Sequence, residues 1–167
     1  MARVFRNGND LANAIDRMTR EFQEDVKGIV EFNLGEIETE AIRNAPGGGD
    51  RIATEFGSQS QSNIARGRNW TPISQSIGYR LASDGFSGSV YVETSAGEVA
   101  IYVEFGTGQS ARRYLATVPP EFRSIAARYY LTGKGTIINK PYLLPAFFKY
   151  QVQFVKELKS AIKNMRL

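Results

Sequence analysis

The first quarter of the chain carries apolar residues at helical spacing. One stripe runs through Leu11, Ile15, Met18, Phe22, Val26 and Ile29 and continues, one position out of step, through Val30, Leu34, Ile37 and Ala41. Apolar residues three and four positions apart share one face of a helix, so the pattern predicts a helix over residues 9–44. Gly28 and Gly35 lie near the step. Because each costs about 1 kcal/mol against alanine inside a helix, they indicate either a bend or close packing against another element.

The periodicity stops at residues 46–72, which are polar, rich in glycine and aperiodic. A structureless segment of this length is unusual inside a compact domain and is typically functional or disordered. The prediction is a mobile loop that orders, if at all, only against a neighbouring subunit.

Residues 73–105 have the features of an antiparallel sheet of three to five strands. Polar and apolar residues partly alternate over 73–81, Asp84-Gly85 is a hairpin turn signal, and 90–94 is a β-branched run typical of a strand. In residues 98–105, Val99, Ile101 and Val103 favour a further strand by propensity. A helical turn fits Ala100, Val103 and Glu104 about as well.

The last third predicts a helix over 119–130, a hairpin over 131–138 and a long helix over 142–165 with Pro145 in its first turn. One broad apolar face of the long helix is formed by Leu144, Phe147, Phe148, Phe154, Val155, Leu158 and Ile162. Burial of that face contributes roughly 10–20 kcal/mol gross, so the helix is docked. The chain therefore predicts a single α+β domain, 1–167, with long N-terminal and C-terminal helices packed on an antiparallel sheet.

The amino-acid composition argues against an enzymatic function. The chain has neither cysteine nor histidine, which removes disulfides, the commonest general base and the usual zinc ligands. Gly133-Lys134-Gly135-Thr136 lacks the spacing of a phosphate-binding loop. Glu93, Glu98 and Glu104 could approach one another in a sheet, but nothing in their spacing indicates a glycosidase cleft. We expect no enzyme, no catalytic residue, no cofactor and no metal.

Charge and hydropathy limit the partners. No apolar run is long enough to cross a membrane, and the first eight residues lack the apolar core of a secretion signal, so neither a membrane partner nor a secreted precursor is expected. The net charge is +4. This positive charge either keeps the protein soluble or belongs to a surface that faces nucleic acid. Arg51, Arg66 and Arg68, near Trp70, are the nucleic-acid-facing candidates, and the alternative function is a small basic nucleic-acid-binding module.

Two short segments carry a resemblance. The run Ala100-Ile101-Tyr102-Val103-Glu104-Phe105-Gly106-Thr107-Gly108 is followed by Lys140-Pro141-Tyr142-Leu143-Leu144-Pro145-Ala146-Phe147. The pair resembles the "A-x-x-V-E-F-G-T" and "R-P-F-L-x-P-A" segments of the minor tail-component family of long-tailed phages, at the neck or tail-completion position. The chain departs from that family by its long polar loop before Trp70, by Lys-Pro-Tyr-Leu in place of Arg-Pro-Phe-Leu, and by a longer link between the segments. This link, 109–138, is therefore interpreted as a helical and hairpin insertion.

The resemblance implies a virion structural protein assembled in the host cytoplasm. Such a protein forms a homo-oligomeric ring, expected to be a hexamer, at the head-tail connection around the DNA channel. The implied neighbours are head-closure, tail-terminator or tail-tube proteins, with nonspecific contact to DNA in the channel. A closed ring uses head-to-tail contacts, so two different faces of each subunit must bind.

Glu104 is the residue whose environment matters most. A carboxylate between Val103 and Phe105 is costly to bury without a partner. Two alternatives are open: a partner within its own subunit, either Arg112 or Arg113 or backbone N–H groups just beyond Gly106, or a partner across a subunit interface. Glu104, Phe105, Arg112, Arg113 and Tyr142, with the 46–72 loop, are the subunit-interface candidates.

Overall fold

A computed structural model describes residues 8–45, 73–93, 97–120, 122–123 and 138–165. Its elements are α1 (Gly8–Asn44), α2 (Ile73–Ser76), β1 (Ile77–Leu81), β2 (Gly88–Val92), α3 (Gly97–Phe105), α4 (Gly108–Thr117) and α5 (Leu143–Asn164). The predicted α+β class is confirmed, with a long N-terminal helix, a C-terminal helix and an antiparallel sheet.

The two long helices form an antiparallel pair with a polar seam. The contacts that cross between them are Asn33 Nδ2 to Glu157 Oε2 at 2.6 Å, Tyr150 OH to Glu36 Oε2 at 2.9 Å, and Lys149 Nζ to Glu40 Oε1 at 2.9 Å. Residue numbers rise along α1 as they fall along α5, which sets the opposed direction. The C-terminal helix is docked, as predicted.

The β-hairpin packs beside α1. β1 and β2 pair antiparallel from Ile77 opposite Val92 to Leu81 opposite Gly88. Gly85 adopts a left-handed backbone with φ of 75°, and the Asp84 side chain accepts the Phe86 N–H at 2.9 Å. The predicted turn at Asp84-Gly85 is confirmed, because aspartate and glycine supply the side-chain acceptor and the positive φ that this turn needs.

One hydrophobic core joins six of the elements. Its buried members are Ile37, Ala41, Ala45, Ile73, Ile77, Ala100, Val103, Tyr142, Ala146 and Tyr150. Three of them are alanines on helices, which lets the helical backbones approach one another closely. Tyr142 and Tyr150 fill the space that small residues leave.

The strand favoured over 98–105 is wrong and the helical alternative is confirmed, because the segment belongs to the helix α3. Ala100, Val103 and Glu104 are all buried, and their spacing of three and four places them on one face of a helix. In the described residues the sheet has two strands, fewer than the three to five predicted. Residues 73–76 form a helical turn and not the start of a strand.

The face that α5 buries also differs from the prediction. Leu144 is buried and Phe147, Phe148, Phe154 and Leu158 are partly buried, as predicted, but Val155 is 42% exposed and Ile162 is 55% exposed. The side that faces α1 carries Tyr150 and Glu157. Hydrogen-bonding residues spaced along the helix thus occupy the contact, while part of the apolar surface faces outwards.

Several predicted features fall wholly or partly outside the described residues. These are the 46–72 loop, most of the 119–130 helix and the 131–138 hairpin except Ile138. Pro120, Phe122 and Arg123 are helical. The insertion also contains α4, a helix that the sequence pattern did not indicate separately.

The glycines of α1 do not mark a close contact. A Cβ built at Gly28 or Gly35 meets no heavy atom of the described residues within 4 Å, whereas one at Gly88 lies 2.7 Å from the Arg80 carbonyl oxygen and overlaps the Leu34 side chain. Close packing at Gly28 and Gly35 is therefore wrong, and Gly88 is the position where the hairpin meets α1.

We expect Gly28→Ala and Gly35→Ala each to raise the free energy of unfolding by about 0.5–1 kcal/mol, because alanine favours the helix and nothing obstructs it. Gly88→Ala should lower it, since the backbone of β1 would have to move. Urea unfolding monitored by circular dichroism measures all three. A loss of stability in either α1 variant would show that a contact exists at that glycine.

Candidate functional site

The end of α3 delivers a carboxylate into the protein interior. Glu104 is 4% exposed, although it is the next-to-last residue of the helix. Directly after it the chain reverses at Gly106, whose φ is 73° and whose N–H donates to the Tyr102 carbonyl at 2.8 Å. Glycine at this position ends the helix without a steric penalty. Gly108, with φ of 57°, then begins α4.

Four donors surround the Glu104 carboxylate. Oε2 accepts the N–H groups of Tyr142 at 2.8 Å and of Leu143 at 2.9 Å. Oε1 accepts the Leu144 N–H at 3.1 Å and the Tyr114 hydroxyl at 3.2 Å. Bonds to an ionised acceptor are stronger than neutral ones. Burial of the charge is thereby compensated within one chain.

These bonds cap the N-terminus of α5. The N–H groups of the capping residue and the first three helical residues have no acceptor inside a helix. In α5 they belong to Tyr142, Leu143, Leu144 and Pro145. Glu104 accepts the first three, and proline has no N–H to satisfy. A negative charge at this end also interacts favourably with the helix dipole.

The segment before α5 is held along α3 as well. Lys140 N–H donates to the Val103 carbonyl at 2.7 Å, and the Tyr142 hydroxyl lies 3.4 Å from the Ala100 carbonyl. Asn139 and Ser110 exchange two hydrogen bonds, at 2.6 Å and 3.0 Å. We call this set, Glu104 with 139–144, Ser110 and Tyr114, the latch, because it joins α3, α4 and α5.

The two tyrosines of the latch are held as neutral phenols. Burial, reinforced by the nearby Glu104 carboxylate, raises the pKa of Tyr114 and of Tyr142 well above the ordinary value. Tyr114 also packs its ring against Phe105, with centroids 6.0 Å apart. Its hydroxyl is thus directed at Glu104 by an aromatic contact from the same helix that carries the carboxylate.

The open question about Glu104 has an intramolecular answer. Its partners include backbone N–H groups of its own chain, as one alternative proposed, but these lie at the start of α5 and not just beyond Gly106. Arg112 and Arg113 are exposed on α4, and Arg113 donates to Gln109 at 3.5 Å. As interface candidates, they and half-buried Phe105 remain predictions.

Tyr142 is not available to a second subunit. Its side chain is 2% exposed and belongs to the core, and Glu104 is equally enclosed. In this conformation both are covered by their own chain, and their place at a subunit interface stays a prediction. Arg51, Arg66, Arg68 and Trp70 lie outside the described residues. Sequence reasoning missed Tyr114 as a donor and the Ser110–Asn139 pair, since no periodicity connects residues 29 positions apart.

The arrangement at Glu104 is that of a helix cap. All four donors at Glu104 are engaged, and its carboxylate is enclosed. Across the described parts of the chain, no cluster of three or more acidic, histidine or cysteine residues could hold a metal ion. No helix among them is long and apolar enough to cross a membrane. Comparison with protein-family models, curated proteins and solved structures found no match for this chain.

Glu104→Gln should destabilise the protein by about 2–4 kcal/mol, because the amide loses the charge and presents one acceptor oxygen to donors that two oxygens now serve. Chemical denaturation at neutral pH measures the change. Glu93→Gln is the control, since Glu93 is exposed and should change stability by less than about 0.5 kcal/mol. Equal effects of the two variants would contradict the capping role.

Tyr114→Phe should lower stability by about 1 kcal/mol at pH 7, because one donor to Glu104 is lost. The folded pKa of Tyr114 is raised above its ordinary value of 10.0. Its contribution is therefore complete below about pH 10 and is lost as the pH rises through the folded pKa. The stability difference between wild type and variant should shrink from pH 9 to pH 11. Urea titrations at each pH test this, and a constant difference would disprove the assignment.

Proposed function

We propose that this chain is a structural protein of a phage virion. In this proposal it forms a ring at the head-tail connection, at the neck or tail-completion position, around the DNA channel. Its neighbours are head-closure, tail-terminator or tail-tube proteins, and assembly takes place in the host cytoplasm. The proposal assigns it no catalytic activity.

One observation carries the proposal. The resemblance rests on two segments, and Glu104 of the first segment binds the backbone of Tyr142, Leu143 and Leu144 in the second. The segments are about forty residues apart in sequence, yet they form a single latch. A physical reason therefore exists for both to occur in one chain, which supports reading them as a pair.

The latch also suits an assembly role. It pins both ends of the intervening 109–138 segment, with Ser110 near one end bound to Asn139 just after the other. Insertions between two fixed points can vary without disturbing the core. A segment held at both ends in this way can present its middle to a neighbouring protein without loss of the core, which is appropriate for a subunit that must fit particular neighbours.

A nonsense codon in the gene, within a phage that encodes it, tests the function. We expect purified wild-type virions to contain the chain, and the nonsense phage to accumulate DNA-filled heads and separate tails in electron micrographs. Expression of wild-type or Glu93→Gln protein from a plasmid should restore joined particles. Joined, infective particles that lack the chain would refute the proposal.

A further inference from the structure

The first helix extends beyond its partner. Asn164 and Met165, at the end of α5, lie with Ala161 beside Met18 and Phe22 in an open groove. Because the helices are antiparallel, residues 8–17 continue past the end of α5. We call these residues the arm; ten residues at about 1.5 Å each make it about 15 Å long.

The arm keeps the apolar stripe of α1 but has no α5 surface to cover it. Leu11 is 39% exposed and Ile15 is 42% exposed, and they align with Met18 and Phe22, which line the groove at the end of α5. The surroundings are acidic: residues 8–25 contain Asp10, Asp16, Glu21, Glu24 and Asp25 against Arg17 and Arg20. The arm is therefore an apolar strip on an acidic helix.

A second apolar strip lies on α5. Val152, Val155 and Ile162 are 58%, 42% and 55% exposed, and we call them the outer stripe. At 3.6 residues per turn they lie about 180° around the helix from Tyr150 and Glu157, which face α1. The surrounding side chains are basic, since Lys156, Lys159 and Lys163 are exposed on the same helix.

We propose that the arm of one copy packs on the outer stripe of α5 in a second copy. Leu11, Ile15 and Met18 are spaced four and three apart, and Val152, Val155, Lys159 and Ile162 are spaced three, four and three apart, which is the spacing of two helices packed along a seam. The outer stripe spans about 15 Å, which matches the arm. The inference rests on the self-association that the proposed function requires and names its surfaces.

The charges around the two strips favour contact between an arm and an outer stripe. Residues 8–25, which are the arm and the residues that follow it, contain five acidic and two basic residues, and α5 contains four lysines and one glutamate. Arm against arm would bring carboxylates together, and stripe against stripe would bring lysines together, whereas arm against stripe joins opposite charges. Because the two surfaces differ, the contact is heterologous, and each copy can both give an arm and receive one. Such contacts close into rings or continue as filaments.

Two double variants test the two surfaces one at a time and leave the net charge of the protein unchanged. Leu11→Gln with Ile15→Gln removes the apolar strip of the arm, and Val152→Gln with Val155→Gln removes that of the outer stripe. The matched controls are Asn13→Gln, on the opposite side of the arm, and Ser160→Gln, away from the outer stripe on α5. Sedimentation velocity and light scattering over a concentration series give the molecular masses, and circular dichroism verifies that each variant is folded.

The wild-type protein and both controls should form oligomers, and each double variant alone should associate at least about tenfold more weakly. Mixing the two double variants in equal amounts should restore a single contact, because one supplies an intact arm and the other an intact stripe. The mixture should therefore contain heterodimers that do not grow further. Raising the salt concentration from about 0.05 M to 0.5 M should weaken wild-type association.

Three other results would overturn the proposal, and each of them indicates a different arrangement. Oligomers of the stripe variant alone would indicate arm-to-arm pairing, and oligomers of the arm variant alone would indicate stripe-to-stripe pairing. A wild-type protein that stays monomeric at all concentrations would show that another part of the chain or another protein covers these strips. That last result leaves the head-tail role to the nonsense-phage experiment, which does not depend on self-association of the isolated chain.

Discussion

The fold depends on one buried negative charge. Glu104 lies among apolar residues, where an unpaired carboxylate would be strongly unfavourable. The same carboxylate supplies the acceptors that the first turn of α5 lacks. The N–H groups of α5 offset the cost of burying the carboxylate, and the carboxylate offsets the cost of leaving those N–H groups without acceptors. The end of α3 and the start of α5 are therefore stable only together. The core residues Ala100, Val103, Tyr142 and Ala146 are placed by that junction.

Polar contacts also join α1 to α5, and they contribute less free energy than the contacts of Glu104. Hydrogen bonds and an ion pair cross the contact beside the buried apolar residues Ile37, Ala41 and Ala146. Asn33 is buried and donates to both the Ile29 carbonyl and Glu157, while its Oδ1 has no hydrogen-bond partner among the described residues. An unsatisfied acceptor costs stability, but the directional bonds to Glu157 fix one register. Part of the apolar surface of α5, at Val152, Val155 and Ile162, is left outside.

Much of this architecture could be predicted from the sequence. Long periodic stretches ended by Pro46 and opened by Pro145 placed α1 and α5 within one residue of their bounds, and Asp84-Gly85 placed the hairpin. The strand prediction for 98–105 failed because Val99, Ile101 and Val103 have strand propensity and eight residues cannot separate the two periods. Tertiary packing decides between strand and helix, because only a helix puts Ala100, Val103 and Glu104 on one side. The need of Glu104 for a partner was predictable, but its N–H donors were not, since they lie some forty residues away.

The net charge of the chain conceals how its charges are arranged. A balance of +4 favours a uniform basic surface or a nucleic-acid partner, whereas α1 is strongly acidic and α5 is basic. Within one subunit this separation supports the helix pair through Glu40 and Lys149, whose ion pair lowers the pKa of the carboxyl and raises that of the amine. Four lysines on α5 exceed what one such contact uses, and three of them lie outside the seam. Opposite charges distributed over two helices therefore give the subunit two unlike surfaces, which is the property that a head-to-tail contact requires.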